Sequence, residues 1–432
     1  MRLGGRVQAA IEVLEDMEAR KRPVSEALKD WGLGHRFAGS GDRSAIGNLV
    51  YDTLRKRSST AYLMGSDKAS SLVFGTVQRQ WNTSLEQLQE AFTDDKFAPQ
   101  IPVAELEATS KKDFAFAEPY EQADVPEWCA DFLEENFDED WTTEAEAMSD
   151  RPPLDIRVNT LKADREKVLK ALSKTGAKPT NIAINGVRIA PGNGARRLPN
   201  VQNEPAFQKG WFEIQDEGSQ IVADLCFAKP NEQVFDYCAG AGGKTLALSA
   251  NMQNKGQVHA YDVNKSRLAP IFERLKRAGT RNVQVHGAGD DLSPLVGKFD
   301  KVIIDAPCSG SGTWRRRPDA KWRLTPETLA MRCQEQQTVL DDAQKYVKTG
   351  GVLIYITCSV FPQENEEQVY AFGDRQQALG NKWDLLSAGE VWQDLYGLEK
   401  AKPWSTDLKC ITLTPASTNT DGFFFSVLQK LA

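Results

Sequence analysis

Val234-Phe235-Asp236-Tyr237-Cys238-Ala239-Gly240-Ala241-Gly242-Gly243-Lys244-Thr245 reads as a buried strand, a glycine-rich turn and the first turn of a helix. Outward from it the same alternation repeats. Gln233 to Tyr237 is a strand, Lys244 to Met252 a helix, Gln257 to Tyr261 a strand, Ser266 to Ala278 a helix and Val283 to His286 a strand. Two further apolar runs, Lys301-Val302-Ile303-Ile304 and Gly351-Val352-Leu353-Ile354-Tyr355-Ile356, extend the series. Such alternation predicts a mostly parallel sheet joined by right-handed crossovers, an α/β fold. The last two runs lead into cysteines, in Asp305-Ala306-Pro307-Cys308 and Thr357-Cys358-Ser359. Both thiols are therefore expected at the carboxyl edge of one sheet, where open α/β folds bind ligands. Two thiols and a carboxylate converging there suggest covalent chemistry.

The glycine loop, Cys238 to Lys244, is the candidate cofactor site: Cys238, Ala239, Gly240, Ala241, Gly242, Gly243 and Lys244. Its glycines allow close backbone approach, and the following helix offers free N–H groups. Asp262 ends the next strand, where an acid can accept hydrogen bonds from both ribose hydroxyls. Against a dinucleotide, Thr245 replaces the last glycine of the fingerprint and Asp236 places a negative charge in the turn. A sulfonium cofactor such as S-adenosylmethionine carries positive charge instead and tolerates a nearby carboxylate. Asp290, in Gly287-Ala288-Gly289-Asp290-Asp291, ends the third strand and could accept from the adenine amino group. Taken singly, each such Asp is as well explained by a loop cap.

The 432 residues exceed one ordinary domain, so two or three units are expected. The amphipathic start, Met1 to Arg20, lacks the apolar core of a signal peptide, and no run is long enough to cross a bilayer. Seven irregularly spaced cysteines predict reduced thiols in a cytoplasm. With no Cys-x-x-Cys and three histidines, no metal site is expected. A net charge of −7 would disfavour a nucleic-acid partner were it evenly spread. Residues 121 to 150, however, hold twelve acids and no Lys or Arg, which leaves the remaining chain net positive.

Residues 1 to 120 carry a helical pattern, clearest from Asp42 to Arg57. Asp42 is the expected N-cap, Ile46, Leu49, Val50 and Leu54 form an apolar stripe, and Arg55-Lys56-Arg57 close it. Taken alone, this is a packed all-α domain with a solvated basic end. Residues 121 to 150 read as an acidic helical linker around Trp128, Phe132 and Trp141. Residues 151 to 209 read as a small α+β unit: strand 154–158, helix 164–175, and a hairpin of Ile182-Ala183-Ile184 with Val187-Arg188-Ile189 about Asn185-Gly186. Residues 210 to 432 form the α/β domain.

Three segments now carry a resemblance. The glycine loop, the run from Asp305-Ala306-Pro307-Cys308 to Trp322, and Thr357-Cys358-Ser359-Val360-Phe361-Pro362-Gln363-Glu364-Asn365-Glu366 closely resemble the RNA 5-methylcytosine methyltransferases of the RsmB/NOP2/NSUN group. Pro415 with Asp421-Gly422-Phe423-Phe424 resembles that family's last hairpin, and Arg157-Val158-Asn159-Thr160-Leu161-Lys162 its RNA-recognition-like domain. The helical amino terminus is more loosely similar to a NusB-like RNA-binding domain, as in the family's bacterial 16S rRNA branch. The family usually has Ala-Pro where this chain has Gly240-Ala241, which makes the loop more flexible.

The resemblance implies a class I Rossmann-like methyltransferase domain with a mostly parallel seven-stranded sheet. It also implies an S-adenosylmethionine-dependent RNA cytosine-C5 methyltransferase, with rRNA favoured as substrate. Carbon 5 of cytosine is a poor nucleophile until a thiolate adds to carbon 6, and the charge that reaches N3 needs a carboxyl partner. The family pattern assigns the nucleophile to Cys358, the release step to Cys308 and the N3 contact to Asp305. In DNA cytosine methyltransferases the Pro-Cys thiol attacks, so Cys308 as nucleophile stays open at this point. Lys244 would help ionise a thiol or Asp305. Cys129, Cys226, Cys333 and Cys410 read as inert.

The stretch from Trp314 to Trp322 follows the first thiol with cations and indoles. Trp314, Arg315, Arg316, Arg317, Lys321 and Trp322 are the candidate RNA contacts, offering phosphate partners and a stacking surface. The target cytosine is expected in a single-stranded or bulged site, and the protein is expected to be a cytoplasmic monomer. Two other classes compete: a non-catalytic RNA-binding assembly factor that kept the fold, and a nicotinamide dehydrogenase. The intact thiols weigh against the first, and the loop chemistry against the second.

Overall fold

The computed structural model describes residues 1–109 and 111–431. They form two compact units. Of the described residues, the first holds 1–109, 111–152, 191–198 and 313–324, and the second holds 153–190, 199–312 and 325–431.

The first unit is helical, with Leu3–Arg20, Val24–Gly34, Ser40–Arg55, Arg57–Met64 and Ala69–Arg79 packed about Val7, Ile11, Leu14, Leu49, Val50 and Phe74. Ile46, Leu49, Val50 and Leu54 are all buried, as their spacing predicts. Asp42 lies inside the helix rather than at its N-cap: the helix begins at Ser40, and the carboxylate accepts the Gly39 N–H at 3.3 Å. The basic end is not solvated throughout either. Arg55 is buried, its guanidinium donating to the Arg315 carbonyl at 2.8 Å and to Asp52 at 3.0 Å. The acidic segment folds into short helices, Ala130–Phe137 and Trp141–Ala147, that bury Leu133, Trp141 and Ala145.

The second unit contains two sheets. Strands β1 (Leu154–Val158), β2 (Lys178–Pro179), β3 (Gly186–Ile189) and β4 (Phe212–Ile214) form an antiparallel sheet in the order β2-β3-β1-β4. The hairpin partner of β3 is therefore Lys178–Pro179 and not Ile182 to Ile184. The Ile182 and Ala183 N–H groups donate instead to the buried Glu217 carboxylate, which removes them from any ladder.

The larger sheet has β5 (Gln233–Asp236), β6 (Gln257–Tyr261), β7 (Val283–His286), β8 (Phe299–Asp305), β9 (Val347–Thr357), β10 (Trp383–Leu385), β11 (Cys410–Leu413) and β12 (Phe423–Lys430). Its path is β10-β12-β9-β8-β5-β6-β7, parallel from β9 to β7, with β11 pairing β12 as an eighth strand beside the expected seven. Alternate residues face opposite cores. Val234, Ile303, Ile354 and Ile356 pack on one side, and Phe235, Val302, Ile304, Leu353 and Tyr355 on the other. The helix expected from Ser266 to Ala278 is broken into Lys265–Leu268 and Ile271–Ala278, because Pro270 has no N–H to donate.

Candidate active site

The turn after β5 is shaped by glycine. Gly240 and Gly242 take positive φ values of 50° and 80°, and a β-carbon on Gly242 would sit 2.5 Å from Ile271. Gly243 opens the helix Gly243–Asn251, whose first N–H groups point out of the turn. Two arginines that the sequence did not single out brace the loop from outside. Arg157 of β1 donates to the Gly243 carbonyl at 2.9 Å, and Arg274, paired with Glu213, donates to the Ala241 carbonyl at 2.8 Å. In the sequence Arg157 stands out only as the start of the stretch to Lys162, and Arg274, in the helix Ile271–Ala278, carries no signal.

Asp262 lies at the end of β6 and is buried. Its oxygens accept from the Gly240 N–H at 2.9 Å and the Asn264 N–H at 2.7 Å, so it ties the glycine loop to β6. Each oxygen keeps a second lone pair. The residues that follow Asp262, Val263, Asn264, Lys265, Ser266 and Ala269, line a shallow, open depression of about 720 Å³. Asp290 is half exposed and accepts the Gly287 N–H at 3.0 Å, the loop-cap arrangement. Asp236 is not where a ligand could meet it: fully buried, it accepts the Thr245 hydroxyl at 2.6 Å, and burial pushes its carboxyl up to about 7.

Adjacent parallel strands β8 and β9 bring the two cysteines together. The Sγ atoms of Cys308 and Cys358 are 3.3 Å apart. Lys244, on the helix after the glycine loop, places its Nζ 2.6 Å from Asp305 Oδ2 at the end of β8. Burial opposes charge on Lys244, but Asp305, Cys358 and Asp236 together outweigh it and hold the ammonium above its ordinary value. The Cys308 thiol is pushed up by its hydrogen bond with Cys358, by burial and by the Glu364 carboxylate. The residues of this edge fit a sulfonium ligand. The backbone turn is open to close approach, and Asp262 and Asp305 end the two strands that flank β5.

The loop from Thr313 to Leu324 does not offer the surface expected of it. Trp314, Arg315 and Lys321 are each no more than 3% exposed, within the helical unit. Lys321 donates to Ser149 at 2.9 Å, and Trp322 donates its indole N–H to the Leu54 carbonyl at 2.6 Å while Arg57 lies over its ring. A buried indole cannot stack on a base, so Trp314, Arg315 and Lys321 are interior residues of the helical unit. Arg317 is exposed and Arg316 partly so.

Residues 225–429 match the family model described as 16S rRNA methyltransferase RsmB/F, and residues 125–192 match its ferredoxin-like domain. The probable ribosomal RNA small subunit methyltransferase B of Synechocystis is 33% identical over 321 residues, 72% of this chain and 68% of that protein. The chain spans about two thirds of the length of the curated relatives it matches. Among solved structures, a methyltransferase homolog protein from Pyrococcus horikoshii is 30% identical with a TM-score of 0.58, covering 72% of this chain and 98% of that one. The crystal structure of PH0851 covers both chains fully with a TM-score of 0.74 at 23% identity, a likeness of fold.

Proposed function

We propose, from the premise that this chain belongs to the 16S rRNA methyltransferase RsmB/F family, that it methylates carbon 5 of a cytosine in ribosomal RNA through a transient bond to Cys358. Its cofactor is S-adenosylmethionine, which supplies the methyl group when bound. The observation that carries the reading is the pair of thiols 3.3 Å apart beside the Lys244–Asp305 ion pair.

Cys358 is the nucleophile. Its thiolate adds to carbon 6 and sends an electron pair toward N3. Asp305 relays a proton from the Lys244 ammonium to N3 as that electron pair arrives, so no second anion forms beside the carboxylate. Once carbon 5 carries its methyl group, Cys308 gives its thiol proton to solvent and, as thiolate, takes the proton from that carbon. The C–H electron pair restores the ring double bond, the bond between sulfur and carbon 6 breaks, and Cys358 leaves as thiolate. A thiol held well above its ordinary pKa is a strong base once ionised, which suits abstraction from carbon.

The backbone from Cys238 to Lys244 would hold the cofactor, with Asp262 at the ribose hydroxyls, Asp290 at the adenine amino group and Asp305 near the amino-acid end. Arg316 and Arg317 would meet RNA phosphate around a single-stranded or bulged cytosine. The enzyme would work as a monomer in the cytoplasm.

The test is a reaction with unmodified 16S rRNA made by transcription. Cys308→Ala is expected to accumulate an RNA–protein adduct stable on a denaturing gel, and Cys358→Ala to form none. Adduct in the second variant and not the first would exchange the two roles. Nucleoside analysis that finds methylation on any base other than cytosine would overturn the reading.

A further inference from the structure

The chemistry above sets a distance. Carbons 5 and 6 of the ring are bonded neighbours, so the sulfur that removes the carbon-5 proton must reach that carbon while the other sulfur is bonded to the next one, which places the two sulfurs close together. Attack by one thiol does not need the other; release does. The two cysteines lie on separate loops, 306–312 after β8 and 358–365 after β9, and no covalent link fixes their spacing.

A buried polar network joins those loops. Glu364 accepts from the Ser309 N–H at 2.7 Å, from the Ser309 hydroxyl, and from the Gln336 amide at 3.0 Å. The Ser359 hydroxyl also bonds to it. Its own carbonyl is fixed by the Tyr355 hydroxyl at 2.7 Å. The Val360 N–H donates to Ser311 Oγ at 2.9 Å, and the Gly312 N–H donates to the Cys358 carbonyl at 3.0 Å. Glu364, Ser311 and Ser359 are wholly inaccessible to solvent.

Burying a carboxylate is costly, and burial indeed raises its pKa. Two of these contacts come from Ser309, the residue next to Cys308. A hydroxyl and an N–H from one residue, both taken by one carboxylate, fix the direction of the Ser309 peptide and with it the Cys308 side chain.

We propose that Glu364 is the positioning residue for adduct release, holding the Cys308 loop so that its thiol reaches carbon 5 while Cys358 is bonded to carbon 6. It touches neither substrate nor cofactor and acts through Ser309. The inference rests on the covalent reading of the site.

The experiment compares wild type, Cys308→Ala, Glu364→Gln and Ser309→Ala as full chains, with transcribed 16S rRNA and radiolabelled S-adenosylmethionine. Gel-stable adduct and released methylated RNA are measured separately. Glu364→Gln keeps the volume and loses the second acceptor. It should slow release by about tenfold or more while adduct forms at a rate close to wild type, since misplacement of a reacting group by about an ångström costs on that order. Ser309→Ala removes the hydroxyl contact alone and should shift the same ratio in the same direction, by less. It also decides the matter if Glu364→Gln does not fold.

Equal loss of adduct formation and release in both variants would mark a merely structural role and overturn the inference, as would an unchanged ratio. If Cys308→Ala traps adduct and neither variant does, the inference falls and the covalent reading stands. If wild type methylates RNA and Cys308→Ala never traps adduct, both fall.

Discussion

Lys244 shows how one residue can belong to two parts of a site. Its place in the sequence, just past a glycine turn, suggests a ligand contact. Its place in the fold makes it the cation of an ion pair with Asp305 that also interacts electrostatically with Cys358. Breaking a buried pair by removing one partner commonly costs about 3–5 kcal/mol, but the Asp305 side chain is 35% exposed, so solvent offsets much of that and about 1–2 kcal/mol is expected. Lys244→Met should therefore fold, unfold earlier in urea by that amount, and lose methyl transfer by about 100-fold if the cation serves Cys358 and Asp305 together. Activity within about threefold of wild type would remove Lys244 from the mechanism. Asp236 teaches the converse. Its position in the motif put it beside the ligand, yet its side chain points into the core toward Thr245, a direction that strand alternation sets and the motif does not.

At the scale of elements, the pairing of β6 with β7 places two histidines against each other. His259 Nδ1 and His286 Nε2 are 2.8 Å apart, with the rings 6° from parallel. Burial, and next the neighbouring imidazole, push His259 down to about 4; burial lowers His286 as well, against a smaller opposing pull from Asp290. In the unfolded chain an imidazole titrates near 6.5. Between about 6.5 and 4 the unfolded state thus binds more protons than the folded one, and stability falls as pH falls through that window. Thermal melting from pH 7.5 to 4.5 should decline more steeply for wild type than for His259→Gln; parallel profiles would refute the linkage. Elements were also where local reading went furthest. The parallel strands, the glycine turn and the apolar stripe of the first unit all follow from periodicity. The lapses differ in cause: Pro270, visible in the sequence, interrupts a helix, whereas only the fold shows Glu217 taking the N–H groups of a would-be strand.

For the whole molecule, the notable fact is that the helical unit is not one stretch of chain. Residues 313–324 leave the larger unit's sequence to complete the helical core, where Trp314 and Lys321 are buried. Desolvation pulls Lys321 down to about 7, opposed by Asp124. A fragment beginning at residue 153 would retain this segment without the helices that cover it. It is expected to self-associate on size exclusion and to show red-shifted tryptophan emission, and addition of residues 1–152 should reverse both. A monodisperse fragment with blue emission would show that the segment packs without the helices.

From the sequence alone came the α/β class, the succession of strands and helices along the chain after the glycine turn and the expectation that both cysteines reach one sheet edge. Each depends on periodicity and residue type within a dozen positions. Tertiary structure decided the rest: that the thiols lie within contact distance, that Asp236 turns inward, that Glu364 binds Ser309, and that a basic, aromatic stretch is interior. Those outcomes are set by which distant groups share a dry interior, because a buried donor, acceptor or charge must find its partner there, and the spacing of residues along a chain does not name that partner.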